Sequence, residues 1–144
     1  MITGWFFLNK DGDLVYESYP EKASALREDE SVKMLWSYDP DDRGKSWSIL
    51  VEAVAAGANV TEIKELAKKW NFDDNDATIY GERVGCLLKM EGNQWCATRL
   101  DFSDMMESPI GFGDTVLEAM AELCKELGYQ PCKTWGNSFE NLLK

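Results

Sequence analysis

Carboxylates are the residues of this chain best supplied for chemistry. Three groups stand out: Asp39, Asp41 and Asp42; Asp73, Asp74 and Asp76; and Asp101, Asp104 and Glu107. A calcium loop needs oxygen ligands at its first, third and fifth positions, glycine at the sixth and glutamate at the twelfth. Counted from Asp39, Asp41 and Gly44 fit, but Arg43 takes the fifth place and Leu50 the last, so the site fails. Most of these carboxylates are expected at helix starts and on solvated faces, where they favour the helix dipole and solubility.

Nucleophilic and metal chemistry find little support elsewhere. The chain has no histidine, which removes the commonest general base and the commonest metal ligand. A serine or cysteine nucleophile would need lysine or aspartate as its base, and no spacing marks a glycosidase pair of carboxylates. Cys86, Cys96, Cys124 and Cys132 contain no Cys-x-x-Cys pair; they read as buried thiols of a reducing compartment. Gly111 and Gly113 precede a helix, as in a phosphate cradle. Asp114 and Glu118 stand where phosphate would sit, however, and no lysine follows at P-loop spacing. Backbone geometry is the expected reason for both glycines. The sequence therefore reads as a binding protein, not an enzyme, with no catalytic residue, metal or cofactor assigned.

The charge balance points to a class of partner. Asp and Glu number 26 against 15 Lys and Arg, a net charge of −11. Such a surface repels phosphate, so direct nucleic-acid binding through backbone contacts is disfavoured. It favours steering onto a basic protein surface. Asp39, Asp41, Asp42, Asp73, Asp74 and Asp76 are the expected partner-binding face. Trp5, Phe6 and Phe7 are adjacent, and strand alternation sends at least one of them away from a single core. An aromatic left beside carboxylates would serve as a binding anchor.

These groups must be held by a folded scaffold. The 144 residues suit one domain or two small lobes. The spacing predicts a hairpin from Thr3–Leu8 and Asp13–Tyr16 around Asn9-Lys10-Asp11-Gly12. A loop or short helix over Glu21–Ser31 and a strand over Val32–Tyr38 follow. A helix capped by Asp42 or Ser46 buries Trp47, Leu50, Val51 and Val54 on one face and stops at Gly57. Asn59 and Glu62 cap the next, Val60–Trp70, and a third runs over Asp73–Glu82. Val84–Met90 and Gln94–Phe102 form a hairpin around Glu91-Gly92-Asn93, with Asn93 left-handed. That register sets Cys96 opposite Leu88 and Cys86 opposite Thr98, with no cross-strand disulfide. Ser103–Gly113 reads as a loop. Thr115 and Glu118 form a capping box for a helix ending at Gly128, and Ser138–Leu143 makes a last short helix. The order helix, helix, helix, hairpin matches a winged helix-turn-helix, but its recognition helix would open on Asp73, Asp74 and Asp76. Protein contact is then expected in place of DNA.

The run Gly113-Asp114-Thr115-Val116-Leu117-Glu118-Ala119, behind a hairpin, resembles the helix start of the HicB-like antitoxin domain over Val84–Leu127. The aromatic-flanked form from Gln94-Trp95-Cys96-Ala97 to Gly111-Phe112-Gly113-Asp114-Thr115 also looks like small proteins encoded by bacteriophages and prophages. The first resemblance implies a β-hairpin–helix fold and neutralisation of a small ribonuclease toxin. The sequence departs from it by carrying residues 1–83 ahead of the domain and by showing no separate DNA-binding tail.

The expectation is an α+β fold of antiparallel hairpins with packed helices. Residues 1–83 form a hairpin and helical region and 84–144 a HicB-like region, the two making one compact unit or meeting at a seam near Gly81–Gly85. The functional expectation is a phage-type accessory protein that inhibits a basic, nucleic-acid-handling bacterial defence protein, in the manner of an anti-CRISPR. A HicB-like antitoxin and a small-molecule sponge are the alternatives, and homodimer formation is left open. Met1 is followed by Ile-Thr-Gly-Trp, without a basic start or a long apolar run, so the cytoplasm is expected and no membrane span is.

Overall fold

In a computed structural model the structure describes residues 1–100, 109–128 and 139–143. The chain begins with β1 (Gly4–Asn9) and β2 (Leu14–Glu17), then α1 (Pro20–Glu28) and β3 (Val32–Tyr38). Three helices follow: α2 (Arg43–Ala55), α3 (Val60–Lys69) and α4 (Asp74–Arg83). Next come β4 (Cys86–Glu91), β5 (Gln94–Arg99), β6 (Ile110–Gly113), α5 (Val116–Glu126) and α6 (Phe139–Leu143). The strands make two antiparallel three-stranded sheets, ordered β2-β1-β3 and β4-β5-β6. The fold is α+β.

Both faces of the first sheet are covered, which resolves the Trp5-Phe6-Phe7 run. Leu8, Met34 and Trp36 belong to the main core on one face. Leu35, of opposite parity, is also fully buried, on the face where α1 supplies Ala23. Phe6 therefore points one way and Trp5 and Phe7 the other. The β1–β2 turn is built as its residues suggest: Asn9 Oδ1 accepts the N–H groups of Asp11 and Asp13, both at 3.0 Å.

Helix α2 is the spine, lying between the first sheet and α5. Every residue from Ser46 to Val54 is buried, whereas sequence periodicity marks only one apolar face. The other side is hidden because a second layer packs on it. Glu52 is 0% exposed; its Oε2 accepts the Trp36 indole N–H at 3.0 Å. On the α5 side the Trp47 indole N–H points at Met120 Sδ, 3.2 Å away. One apolar cluster runs from Leu8 to Leu143 across both sides of the 83/84 boundary. At that boundary Gly81 admits Leu88 and Met120, where a Cβ would meet Leu88 Cδ1 at 2.5 Å and Met120 Sδ at 3.3 Å.

The second sheet departs from expectation in two places. The β4–β5 connection is a two-residue turn at Gly92-Asn93, with Glu91 paired to Gln94. Gly92, at φ +63°, supplies the left-handed residue in place of Asn93. The shorter turn shifts the register, so Cys86 faces Arg99 and Leu88 faces Ala97. Cys86 and Cys96 consequently lie on opposite faces of the sheet. The second departure is Ile110–Gly113, expected as loop, which is a strand paired to β5 with Cys96 opposite Phe112 and Ala97 opposite Gly111. Its glycines let β6 touch α5: a Cβ on Gly111 would overlap the Ala119 carbonyl and the Leu123 amide, and one on Gly113 the Glu118 side chain. The α5 capping box forms as read, Glu118 N–H bonding Thr115 Oγ1 at 3.2 Å and Glu118 Oε2 accepting the Thr115 N–H at 3.2 Å.

Candidate functional site

The two described aspartate groups sit at helix starts, for a common local reason. A helix leaves its first N–H groups unpaired, and a short carboxylate just before it can accept one. Asp42 Oδ1 accepts the Lys45 N–H at 3.0 Å, and Asp73 Oδ1 the Asp76 N–H at 2.8 Å. The group Asp101, Asp104 and Glu107 lies outside the described residues.

The surroundings of the two groups differ. Asp39 Oδ1 accepts the Asp41 N–H at 2.9 Å and Asp39 Oδ2 the terminal ammonium of Met1 at 2.9 Å. That ammonium also lies 3.6 Å from Asp41. The hydrogen bond from the ammonium, then the Asp41 amide, holds the Asp39 carboxyl below its ordinary value; the same bond raises the amine of Met1. Asp39, Asp41 and Asp42 line an open depression of about 370 Å³ that also holds Arg43, Tyr80 and Arg83. Groups of both signs line it.

Arg43 is the residue that sequence reasoning missed. Its guanidinium donates to the Trp70 carbonyl at 3.0 Å, the Asn71 carbonyl at 3.1 Å and the Tyr80 hydroxyl at 3.3 Å. It also lies 4.3 Å from the Phe72 ring centroid. Arg43 therefore bolts the start of α2 to the α3–α4 connection, where Asn71 is left-handed at φ +61°. A signal was present: a cation in the first turn of a helix opposes the dipole and needs another reason to be there. Beside this bolt, Tyr38 and Trp70 stack with centroids 5.2 Å apart, and Phe6 meets Tyr38 edge-on at 4.9 Å.

Around Asp73, Asp74 and Asp76 the cations are held back. Lys64 Nζ is 2.9 Å from Glu118 Oε1, and Lys68 Nζ is 4.0 Å from Glu65. Among the described residues no Lys or Arg pairs with any of the three aspartates. Asp73 and Asp74 stand at the lip of a second cavity of about 160 Å³, whose floor is Trp47, Ala67, Phe72, Ala77 and Leu117. A smaller hollow lined by Tyr38, Pro40, Arg43, Trp70 and Phe72 lies between the two cavities. The first triplet thus lines one depression and Asp73 and Asp74 of the second line another, while Arg43 and Phe72 are each shared with the hollow between them. The depressions that hold the two groups share no lining residue.

The three described cysteines are poor candidates for reaction. Burial pushes Cys86 up to about 12 and also raises Cys96 and Cys124, so the nucleophilic thiolate is scarce at neutral pH. Cys86, Cys96 and Cys124 are free thiols; Cys132 lies outside the described residues. Among the described residues no cluster of three or more His, Cys, Asp or Glu is placed to hold a metal ion, and no helix is long and apolar enough to cross a membrane. No protein-family model, curated protein or solved structure matches the chain.

Proposed function

We propose that this chain is an acidic binding protein, not an enzyme. It docks onto a basic bacterial protein that handles nucleic acid and inhibits it, as a phage-type counter-defence inhibitor in the cytoplasm would. The supporting observation is the set Asp42, Asp73, Asp74 and Asp76, four carboxylates at two neighbouring helix starts with no cationic side chain paired to them among the described residues. Uncompensated charge of one sign speeds encounter with the opposite sign and selects against anionic competitors such as nucleic acid. Half-exposed Tyr38 and Trp70 next to them supply the aromatic contact that interfaces favour.

The test is capture from bacterial lysate at low and high salt, identification of what is bound, and assay of the purified partner with and without this chain. The expected result is a basic nuclease or nuclease complex, released at high salt and inhibited at low salt. Capture of only neutral or acidic proteins, or a basic partner whose activity is unchanged, overturns the reading.

A second reading has its own support. The β4–β5 hairpin and the boxed helix α5 lie within Val84–Leu127, the stretch that carries the HicB-like resemblance. Under that reading the partner is a small ribonuclease toxin, and its binding is lost when Gly111→Val separates β6 from α5.

A further inference from the structure

We infer that the cavity between α3, α4 and the start of α5 receives a single lysine or arginine side chain from the basic partner; the inference rests on the docking function proposed above. Size decides first. At about 160 Å³ the cavity is below the 300–1,000 Å³ of ordinary small-molecule sites, which argues against a sponge for a free metabolite and for one protruding side chain.

Chemistry decides next. The floor is apolar, made by Trp47, Ala67, Phe72, Ala77 and Leu117, and the lip carries Asp73 and Asp74. A lysine or arginine has a matching two-part character, an apolar stem and a charged head. Its methylenes cover the floor while its head reaches the carboxylates. Of those carboxylates, Asp73 uses one oxygen on the Asp76 amide, and the Asp74 side chain has no hydrogen-bond or ionic partner among the described residues. Lys64 and Lys68 also line the cavity, but Lys64 is engaged by Glu118 at 2.9 Å and Glu65 lies 4.0 Å from Lys68, so with these glutamates the local balance stays negative. An acidic or purely apolar side chain would leave the aspartates unanswered.

The experiment titrates the full chain with n-butylguanidinium and with its uncharged analogue n-butylurea, read by amide and indole NMR shifts. The cation is expected to move the signals of Trp47, Asp74, Ala77 and Leu117 saturably. It should bind about fivefold more tightly than the urea, the scale of one partly exposed ion pair. Asp73→Asn with Asp74→Asn keeps a capping side chain at the head of α4 and should abolish that preference without changing thermal stability. Equal binding of cation and urea, shifts confined to other sites, or an unchanged preference in the double variant overturns the inference. The two proposals fail separately. A basic partner that the double variant captures as well as the parent chain removes the cavity's role and leaves the inhibitor reading. A cation that seats here while no basic partner is found does the reverse.

Discussion

The starts of α2 and α4 look alike as sequence, each marked by three closely spaced aspartates, yet their surroundings differ. At α2 two of the three carboxylates meet a cation of the chain itself, and Asp42 caps the helix. The terminal ammonium closes on Asp39 and Asp41, and Arg43 turns inward to bind two carbonyls, a phenol and an aromatic face. At α4 one carboxylate caps the helix, and none of the three meets a cation among the described residues. The lesson is that a run of like charge keeps its excess only where no cation of the chain closes on it. Local spacing does not carry that information.

The largest effect that sharpens this contrast comes from the bolt. Arg43→Ala removes three hydrogen bonds and leaves the Trp70 and Asn71 carbonyls short of a donor. A loss of about 3 kcal/mol is expected at roughly 1 kcal/mol per bond, read as a lower urea midpoint. Unchanged stability would mean that the start of α2 is as open as that of α4.

Next in size are the two caps. Asp42→Ala and Asp73→Ala should each cost about 1 kcal/mol, whereas replacement by Asn should cost little in either place. Urea denaturation of the four variants separates capping from net charge, since Ala and Asn remove the same charge. The contrast between the starts should reappear in binding: Asp74→Asn is expected to weaken capture of a basic partner about fivefold, Asp39→Asn less than about twofold. Equal losses, measured by titration at low salt, would erase the distinction.

The smallest effect is the pH dependence of the Met1–Asp39 pin. Asp39 is depressed in the folded chain, so its contribution is present above the unfolded value of 3.8 and is lost as pH falls through the folded value. The amine of Met1 is raised, so its contribution is present below 8.0 and is lost as pH climbs through the folded value. Carboxyl and amine NMR titrations should show midpoints displaced in these opposite directions, and Asp39→Asn should return the amine toward 8.0.

Much of the scaffold was legible because its signals are local. The caps at Asn59 and Thr115, and at Asp42 of the pair Asp42 or Ser46, each bond an amide within three residues, and the strand over Val32–Tyr38 falls where its β-branched and aromatic residues place it. The β4–β5 register was misread because a one-residue difference in turn length moves every pairing, and both Gly92 and Asn93 are turn formers. The strand Ile110–Gly113 was read as loop because its two glycines suggest a bend; they are there to admit α5. For the site, the carboxylates and their capping roles were visible, but the pairing of Lys64 with Glu118 joins residues far apart in the chain.

By itself the sequence determined the helix starts, the first hairpin and the excess of negative charge, since these depend on neighbours within a few residues or on composition alone. The tertiary structure decided that α2 is buried on all sides, that Arg43 is spent within the fold, and that the aspartates at α4 border an apolar hollow. Those outcomes depend on which distant side chains meet, and burial and charge pairing are set by such meetings.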